Sequence, residues 1–403
     1  MTGAVLESPA GHGETRSLTS HAGAQARSSP VRVMHLVYSF GFGGMEVGVA
    51  KLANALDPAT VAVSICSGKP SEQLKYRLRP EVGFFELGRR PGNDPGLIVR
   101  LARVLRRERP HILHTHGWAT IVEGLLAARL ASVPVLIHGE HGTLELRPFN
   151  RRVQRWAWGR ATRVIAVSSR LAERMEQHIG FPAARIHVIR NGVDTVRFTP
   201  ALRPEARAEF GFGPDDLVLG TAGRLVPVKD QATLLRAWAL LRQRGVQFTG
   251  VIAGRGALKD ELEGLAATLG LDNVRFLGNR PDVERVMAAL DVFILSSVSE
   301  GLSNTIQEAM ASGLPVVATH VGGADELVVP EETGLLVPAS SPEAMADALA
   351  RVVADPARRV QMGHASRHRA EEVFALDGMV RNYTQMYLDL DPRRAGVSAR
   401  RVP

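Results

Sequence analysis

Short apolar runs alternate along this chain with stretches of helical period, and that alternation restricts the fold more than any other feature. Val31–Tyr38, Val61–Ser67, Val82–Leu87, Ile112–Thr115, Val135–His138 and Val164–Val167 read as strands, the last closing its half. Met45–Leu56, Leu97–Arg109 and Trp118–Ala131 read as helices between them. Strand–helix alternation of this kind predicts parallel sheets, with ligands at the strand carboxyl ends. A second series follows: strands at Leu217–Gly220, Val246–Ala253, Val274–Leu277, Val292–Leu295 and Gly334–Val337, with a helix at Gln231–Leu241. Ile186–Phe198 reads as a strand running into a turn at Asn191-Gly192, and the junction between halves is expected near 190–200. The 403 residues are enough for two such α/β domains with full cores. The fold class expected is therefore α/β, with two domains each built on a parallel sheet.

The stretch from Asp291 to Ala318 carries the most chemistry. After the apolar run Val292–Leu295 come Ser296, Ser297, Ser299 and Gly301, and Ser303 is placed to cap a helix to about Ser312. Gly313 stops that helix and Leu314–Ala318 begins the next strand. Backbone amides and the positive end of a helix dipole then sit at a strand's carboxyl end, an arrangement suited to phosphate. Glu300 and Glu308 flank it, and carboxylates accept hydrogen bonds from hydroxyl groups. Donors between two acceptors suit a ligand with both phosphate and polyol parts, such as a nucleotide sugar. Arg224 and Lys229, after another strand, can converge on a diphosphate.

The glycine loop Ser39–Gly44 follows the first strand. A dinucleotide fingerprint needs glycine where Glu46 stands and an acid at the end of the next strand, so NAD is excluded. Gly43 and Gly44 still let backbone approach a phosphate. His114, His116, His138 and His141 cluster after two strands. Their spacing fits no zinc signature and Cys66 is the lone cysteine, so no metal is expected. His141, past a strand end, is the candidate for the cleft, with His138 as the alternative.

The formal charge is +8 and aromatic content only 5%, with no nucleic-acid module, so nucleic acid is not an expected partner. Phosphorylated substrate and an anionic membrane surface are. Residues 147–163 hold six arginines and two tryptophans, a basic amphipathic pattern that fits a bilayer surface or a helix packed on its sheet. No apolar run approaches the roughly 18 residues a spanning helix needs. The organisation expected is a disordered leader over 1–30, a first domain over 31–195 and a second over 196–375. A helix over 376–391 returns to the first domain, and a basic tail over 392–403 contains Arg393, Arg394, Arg400 and Arg401.

Taken in order, GFGG (41–44), the His138/His141 loop, RNGVD (190–194), GRLVPVKD (223–230), EGLSNTIQEAMASGLPVVAT (300–319) and ETGLLVP (332–338) resemble the retaining glycosyltransferases of family four. That family has two facing Rossmann-like domains with a cleft between them (the GT-B fold), which implies an acceptor-side domain over 31–195 and a nucleotide-sugar-binding domain over 196–375. The likeness covers about residues 31–390. VMHLVYSFGFGGMEVGVAKLANALD and IHGEHG are further similar to sugar transferases of bacterial exopolysaccharide and exosortase (PEP-CTERM) loci.

The resemblance implies roles. Arg224 and Lys229 would neutralise the donor diphosphate, with the Gly43 and Gly44 amides facing it. Glu300, with the amides of Gly301, Leu302, Ser303, Asn304 and Thr305, would hold the donor sugar. Glu308 would bind ribose and His141 would sit near the reacting sugar. Base contacts would be made through backbone near Arg280. Asp230 replaces the glycine common after the lysine, which leaves the loop's geometry open.

The implied reaction is metal-independent sugar transfer with retention, without a cofactor beyond the nucleotide sugar. It would act on a lipid-linked glycan acceptor at the cytoplasmic face of the cell membrane. No carboxylate pair for a covalent double displacement is apparent. A sugar-nucleotide epimerase of the same fold and a non-catalytic sugar-nucleotide-binding protein are the alternatives.

Overall fold

The computed structural model describes residues 29–394 except 42, 72, 73 and 143. The expected leader, apart from residues 29 and 30, and the tail arginines Arg400 and Arg401 lie outside the described residues.

The first unit runs β1 (Val31–Val37), α1 (Gly44–Ala55), β2 (Val61–Ser67), β3 (Gly83–Glu86), α2 (Gly96–Glu108), β4 (Ile112–His116) and α3 (Trp118–Ala131). It continues with β5 (Val135–Glu140), α4 (Pro148–Trp158), β6 (Arg163–Ala166), α5 (Ser169–Arg174) and β7 (Ile186–Val188). The strands form one parallel sheet in the order β3-β2-β1-β4-β5-β6-β7. β6 is therefore not the last strand of its half, as the sequence suggested. β7 pairs with it from Val164↔Ile186 to Ala166↔Val188. Only three residues long and largely exposed, β7 lacks the buried run by which β1 and β4 announce themselves.

The second unit comprises α6 (Arg203–Phe210), β8 (Val218–Ala222), α7 (Gln231–Gln243), β9 (Thr249–Ala253), α8 (Lys259–Thr268), β10 (Val274–Gly278) and α9 (Val283–Ala289). β11 (Val292–Leu295), α10 (Asn304–Ala311), β12 (Val316–Thr319), α11 (Ala324–Leu327) and β13 (Gly334–Val337) complete it. Its sheet is parallel in the order β10-β9-β8-β11-β12-β13. In each sheet the order reverses beside one strand, between β1 and β4 and between β8 and β11. Loops leaving such a switch point diverge and leave a crevice at the carboxyl ends.

α12 (Pro342–Ala354), α13 (Pro356–Val373) and α14 (Leu376–Asp389) close the chain. Met379, Tyr383 and Tyr387 of α14 are buried in the same cluster as Leu52 of α1 and Ile112 of β4. Burying a large apolar side chain contributes about 1.5–3 kcal/mol, so α14 is held firmly against the first unit. The chain thus crosses between units twice. The crossings lie side by side, with Val193 N donating to Phe374 O at 2.7 Å and Leu376 N to Val193 O at 2.9 Å. A Cβ on Gly192 would stand 2.7 Å from the Leu376 Cα, so only glycine permits this approach.

Candidate active site

The cationic loop leaves β8, the strand at the second switch point. Buried Leu225 anchors it and a single turn spans Pro227–Lys229. Asp230 then takes a left-handed conformation (φ 45°) and caps α7 by accepting from the Thr233 amide and hydroxyl. Asp tolerates that region better than most residues, so it replaces glycine here and adds a cap. The Arg224 side chain is exposed and Lys229 half-buried. Lys229 Nζ donates to Glu300 Oε1 at 2.5 Å, and Ser297 Oγ donates to the same oxygen at 2.6 Å.

The loop after β11, at the same switch point, is laced to this one. Ser296 Oγ donates to Lys229 O at 2.8 Å and Val298 N to Val228 O at 2.9 Å. Ser303 caps α10 as expected, its Oγ accepting from Ile306 N at 3.3 Å. The amides of Asn304 and Thr305 are left as orphan donors of the helix start. Leu302 is buried, so it has only backbone to offer a ligand. The Asn304 side chain is committed across the cleft, donating to Gly44 O at 2.9 Å and accepting from Asn191 Nδ2 at 3.2 Å.

On the facing side, Gly43 precedes α1, at the first sheet's switch point. The space beside it is occupied: a Cβ there would lie 2.1 Å from the Glu46 carboxylate, which folds back over its own helix start. Burial pushes the Glu46 carboxyl up, and Arg224 across the cleft is among the groups that pull it down again. In the sequence, Glu46 does no more than break the NAD fingerprint. Its approach to Arg224 depends on how the two units face each other, which no local pattern carries.

Glu308 lies against α1. Burial raises its carboxyl to about 7, opposed by the charges of Lys51 and Arg197. Lys51 Nζ is itself hydrogen-bonded to Gly192 O at the crossing.

The histidines sort differently from their order in sequence. β5 runs on to Glu140, two residues beyond the expected end, so His138 lies inside the strand and is not its last residue. Its Nδ1 meets Thr115 Oγ1 at 2.9 Å, its Nε2 meets Glu140 Oε1 at 3.0 Å, and its ring stacks on Trp158. It faces the core. His141 and Gly142 reach the other unit instead. A Cβ on Gly301 would stand 2.1 Å from His141 O, and one on Gly142 would stand 2.6 Å from the Gly301 Cα. His35 joins His114 and His116 in place of His138, with one nitrogen from each within 4.8 Å of the others. Strand register alone brings His35 there, opposite His114.

Arg280 is taken up elsewhere, bonded to Asp282 at 2.5 Å and Glu209 at 2.9 Å and stacked over Phe210. Its guanidinium is therefore engaged away from the cationic loop. Ion pairs tie the units: Arg170 to Asp325 at 2.7 Å and Arg190 to Glu326 at 3.0 Å.

The carboxyl ends of two parallel sheets thus present cations, helix-start amides and carboxylates to one cleft, and the chain as a whole is similar to known proteins. Residues 42–197 match the family described as Glycosyltransferase Family 4, and residues 203–369 match Glycosyl transferases group 1. The D-inositol 3-phosphate glycosyltransferase of Pseudarthrobacter chlorophenolicus is 33% identical over 82% of this chain and 86% of its own. The UDP-Gal:alpha-D-GlcNAc-diphosphoundecaprenol alpha-1,3-galactosyltransferase of Escherichia coli is 29% identical over 74% of this chain and 80% of its own. Anabaena HepE, solved in complex with UDP and glucose, superposes with a TM-score of 0.77 at 25% identity, covering 89% of this chain and 100% of that one. With the sheets, the cleft and these relatives in agreement, the chain belongs to the family 4 glycosyltransferases and has the GT-B fold.

Proposed function

We propose that the protein moves a sugar, with retention, from a nucleotide sugar to a lipid-linked glycan acceptor in exopolysaccharide biosynthesis at the inner face of the cell membrane. The observation that carries the reading is that Arg224, Lys229 and the start of α10, all on the second unit, face the Gly43–Gly44 loop of the first across a cleft narrow enough for Asn304 to reach Gly44. A departing nucleoside diphosphate gains negative charge as its bond to the sugar breaks. Fixed donors aimed at that charge stabilise the transition state more than the ground state.

In this reading Lys229 exchanges Glu300 for phosphate, and Glu300 is freed to accept from sugar hydroxyls. Arg224 pairs with the second phosphate, and the amides of Gly43, Gly44 and Gly301–Thr305 complete the cradle. Glu308 accepts from ribose. His141 lies beside the reacting carbon. The acceptor hydroxyl attacks from the face the diphosphate leaves, and the departing phosphate oxygen takes its proton. No step calls for a metal. The UDP bound in the Anabaena protein and the diphosphoundecaprenol acceptor of the E. coli relative support a uridine donor and a lipid-linked acceptor.

Titration calorimetry against UDP-, GDP- and ADP-sugars tests this. A UDP-sugar should bind, and about tenfold more tightly at pH 8 than at pH 6. The Glu308 carboxyl titrates near 7, and its ionised form is the better acceptor for ribose hydroxyls. Glu308→Gln should erase the pH dependence. Binding of no sugar nucleotide would overturn the proposal.

Membrane attachment is assigned to α4. No helix among the described residues is long and apolar enough to cross a bilayer. The face of α4 with Gln154, Ala157 and Trp158 is buried, whereas Phe149 is 76% and Trp156 40% exposed, beside exposed Arg147, Arg151, Arg152 and Arg155. The helix therefore packs on its sheet and still leaves aromatic and basic side chains outward. Each arginine near an anionic surface is worth about 1 kcal/mol. Changing Arg151, Arg152 and Arg155 to glutamine should weaken binding to phosphatidylglycerol vesicles about 100-fold, and salt should weaken the parent. Unchanged capture in a sedimentation assay would remove α4 from this role.

A further inference from the structure

Beneath the cleft runs a set of buried groups that the proposed chemistry does not use. His141 Nε2 lies 3.0 Å from His116 Nδ1, and His116 Nε2 lies 2.8 Å from His35 Nδ1. His35 Nε2 is 3.5 Å from Tyr387 Oη, which is 2.9 Å from His114 Nδ1. The line starts at the loop that touches Gly301, passes through β4 and β1, and ends on α14. His35, His114, His116 and Tyr387 are buried. At its far end His114 Nε2 is buried without a partner.

Burial holds all four imidazoles neutral, with the His35 and His141 values lowered to about 3, and holds the Tyr387 phenol protonated. A neutral imidazole has one N–H and one lone pair. The buried Tyr387 hydroxyl, bonded to the His114 and His35 rings, must give its proton to one of them and accept from the other, so the chain runs in one of two directions. The orphan at His114 selects between them. Orphaned buried N–H groups are rarer than under-satisfied acceptors. His114 therefore carries its proton on Nδ1 and donates to Tyr387. Tyr387 donates to His35, His35 Nδ1–H to His116, and His116 Nδ1–H to His141 Nε2. A transition-metal ion on His35, His114 and His116 is the competing reading. It would have to break at least one link of the chain, since both ring nitrogens of His35 and of His116 are already engaged and a ligand nitrogen must turn its lone pair to the ion.

We infer that Tyr387, His35 and His116 are positioning residues that set the His141 tautomer, leaving Nδ1–H as the donor His141 offers to whatever enters the cleft beside it. The C-terminal helix thereby acts on the reaction from behind the sheet. The inference rests on the proposed function for the role of His141, though the tautomer is a property of the protein alone.

Tyr387→Phe removes the hydroxyl and keeps the ring. In full-length protein labelled with 15N-histidine, two-bond 1H–15N correlation spectra report each tautomer directly. The parent should show His141 protonated on Nδ1, and Tyr387→Phe should convert it to a mixture. kcat with a UDP-sugar should fall about fivefold to tenfold in that variant, the donor KM staying within twofold, as for loss of one buried hydrogen bond. A merely structural tyrosine would lower the melting temperature and leave the tautomer alone. His141 protonated on Nε2 in the parent, or an unchanged tautomer in the variant, would overturn the inference. So would a stoichiometric metal ion in the purified protein that His114→Ala removes. The predicted tautomer in a protein that binds no sugar nucleotide would sink the functional reading and leave the positioning chain standing.

Discussion

Lys229→Ala should lower kcat/KM for sugar transfer by about 100- to 1,000-fold, the range found when one fixed donor to a developing anion is removed. Lys229 is held on a single turn between Val226 and capped Asp230, so its ammonium is placed before donor arrives. It has a carboxylate partner, Glu300 at 2.5 Å, and the pair is only partly solvated. Alanine therefore also leaves Glu300 without its cation, and some loss of stability, about 1–3 kcal/mol, accompanies the change. Lys229→Ala combined with Glu300→Gln separates the two effects. The double variant should recover stability and stay inactive. Activity within threefold of the parent in a well-folded Lys229→Ala protein would take this residue out of the diphosphate site.

Gly301→Ala should cost at least about 100-fold in kcat/KM, with only a small change in thermal stability. The added methyl would fall 2.1 Å from the carbonyl oxygen of His141, on the opposite unit. Neither side can yield by turning a side chain, because both are backbone. The units must separate, and a displacement of about 1 Å at a reacting centre is enough for a 100-fold loss. Each unit keeps its own sheet and core, so unfolding should change little. Gly264→Ala is the matched control. That glycine is in α8 with open space around its Cβ position, so alanine there should add about 0.5–1 kcal/mol of stability and leave activity alone. Retained activity in Gly301→Ala would mean the units do not need this approach.

Much of the site's local form was legible because its determinants are local. Ser303 before an apolar-periodic run marks a helix start, and the cap is there. Val292–Leu295 is a fully buried strand, as a bare apolar tetrapeptide between polar breaks suggests. Strand–helix alternation implied parallel sheets, and their order puts both switch points under the predicted loops. Asp230 departed from the family's glycine, and only the backbone angles show that it keeps the glycine-like conformation.

What could not be read depends on residues that meet only when sheets close and units face each other. His35 is one hydrophobic-strand histidine until register sets it opposite His114. His138 reads in the sequence as the end of its strand because the apolar run stops there, whereas hydrogen bonding carries β5 two residues further. Glu46 and Arg224 sit on different units, as do Gly142 and Gly301. α4 shows the limit in a third way. Its composition admitted either a packed or an outward apolar face, and the structure divides its aromatics, burying Trp158 while leaving Phe149 and Trp156 out.

By itself, then, the amino-acid order determined the elements, their parallel arrangement and the loops that bear the chemistry, because periodicity, caps and glycines act within a few residues. The pairing of those loops across the cleft, the neutral imidazole line to α14 and the environment of Glu308 were decided by tertiary structure alone. Packing distance and desolvation have no value until the two units are folded and in contact.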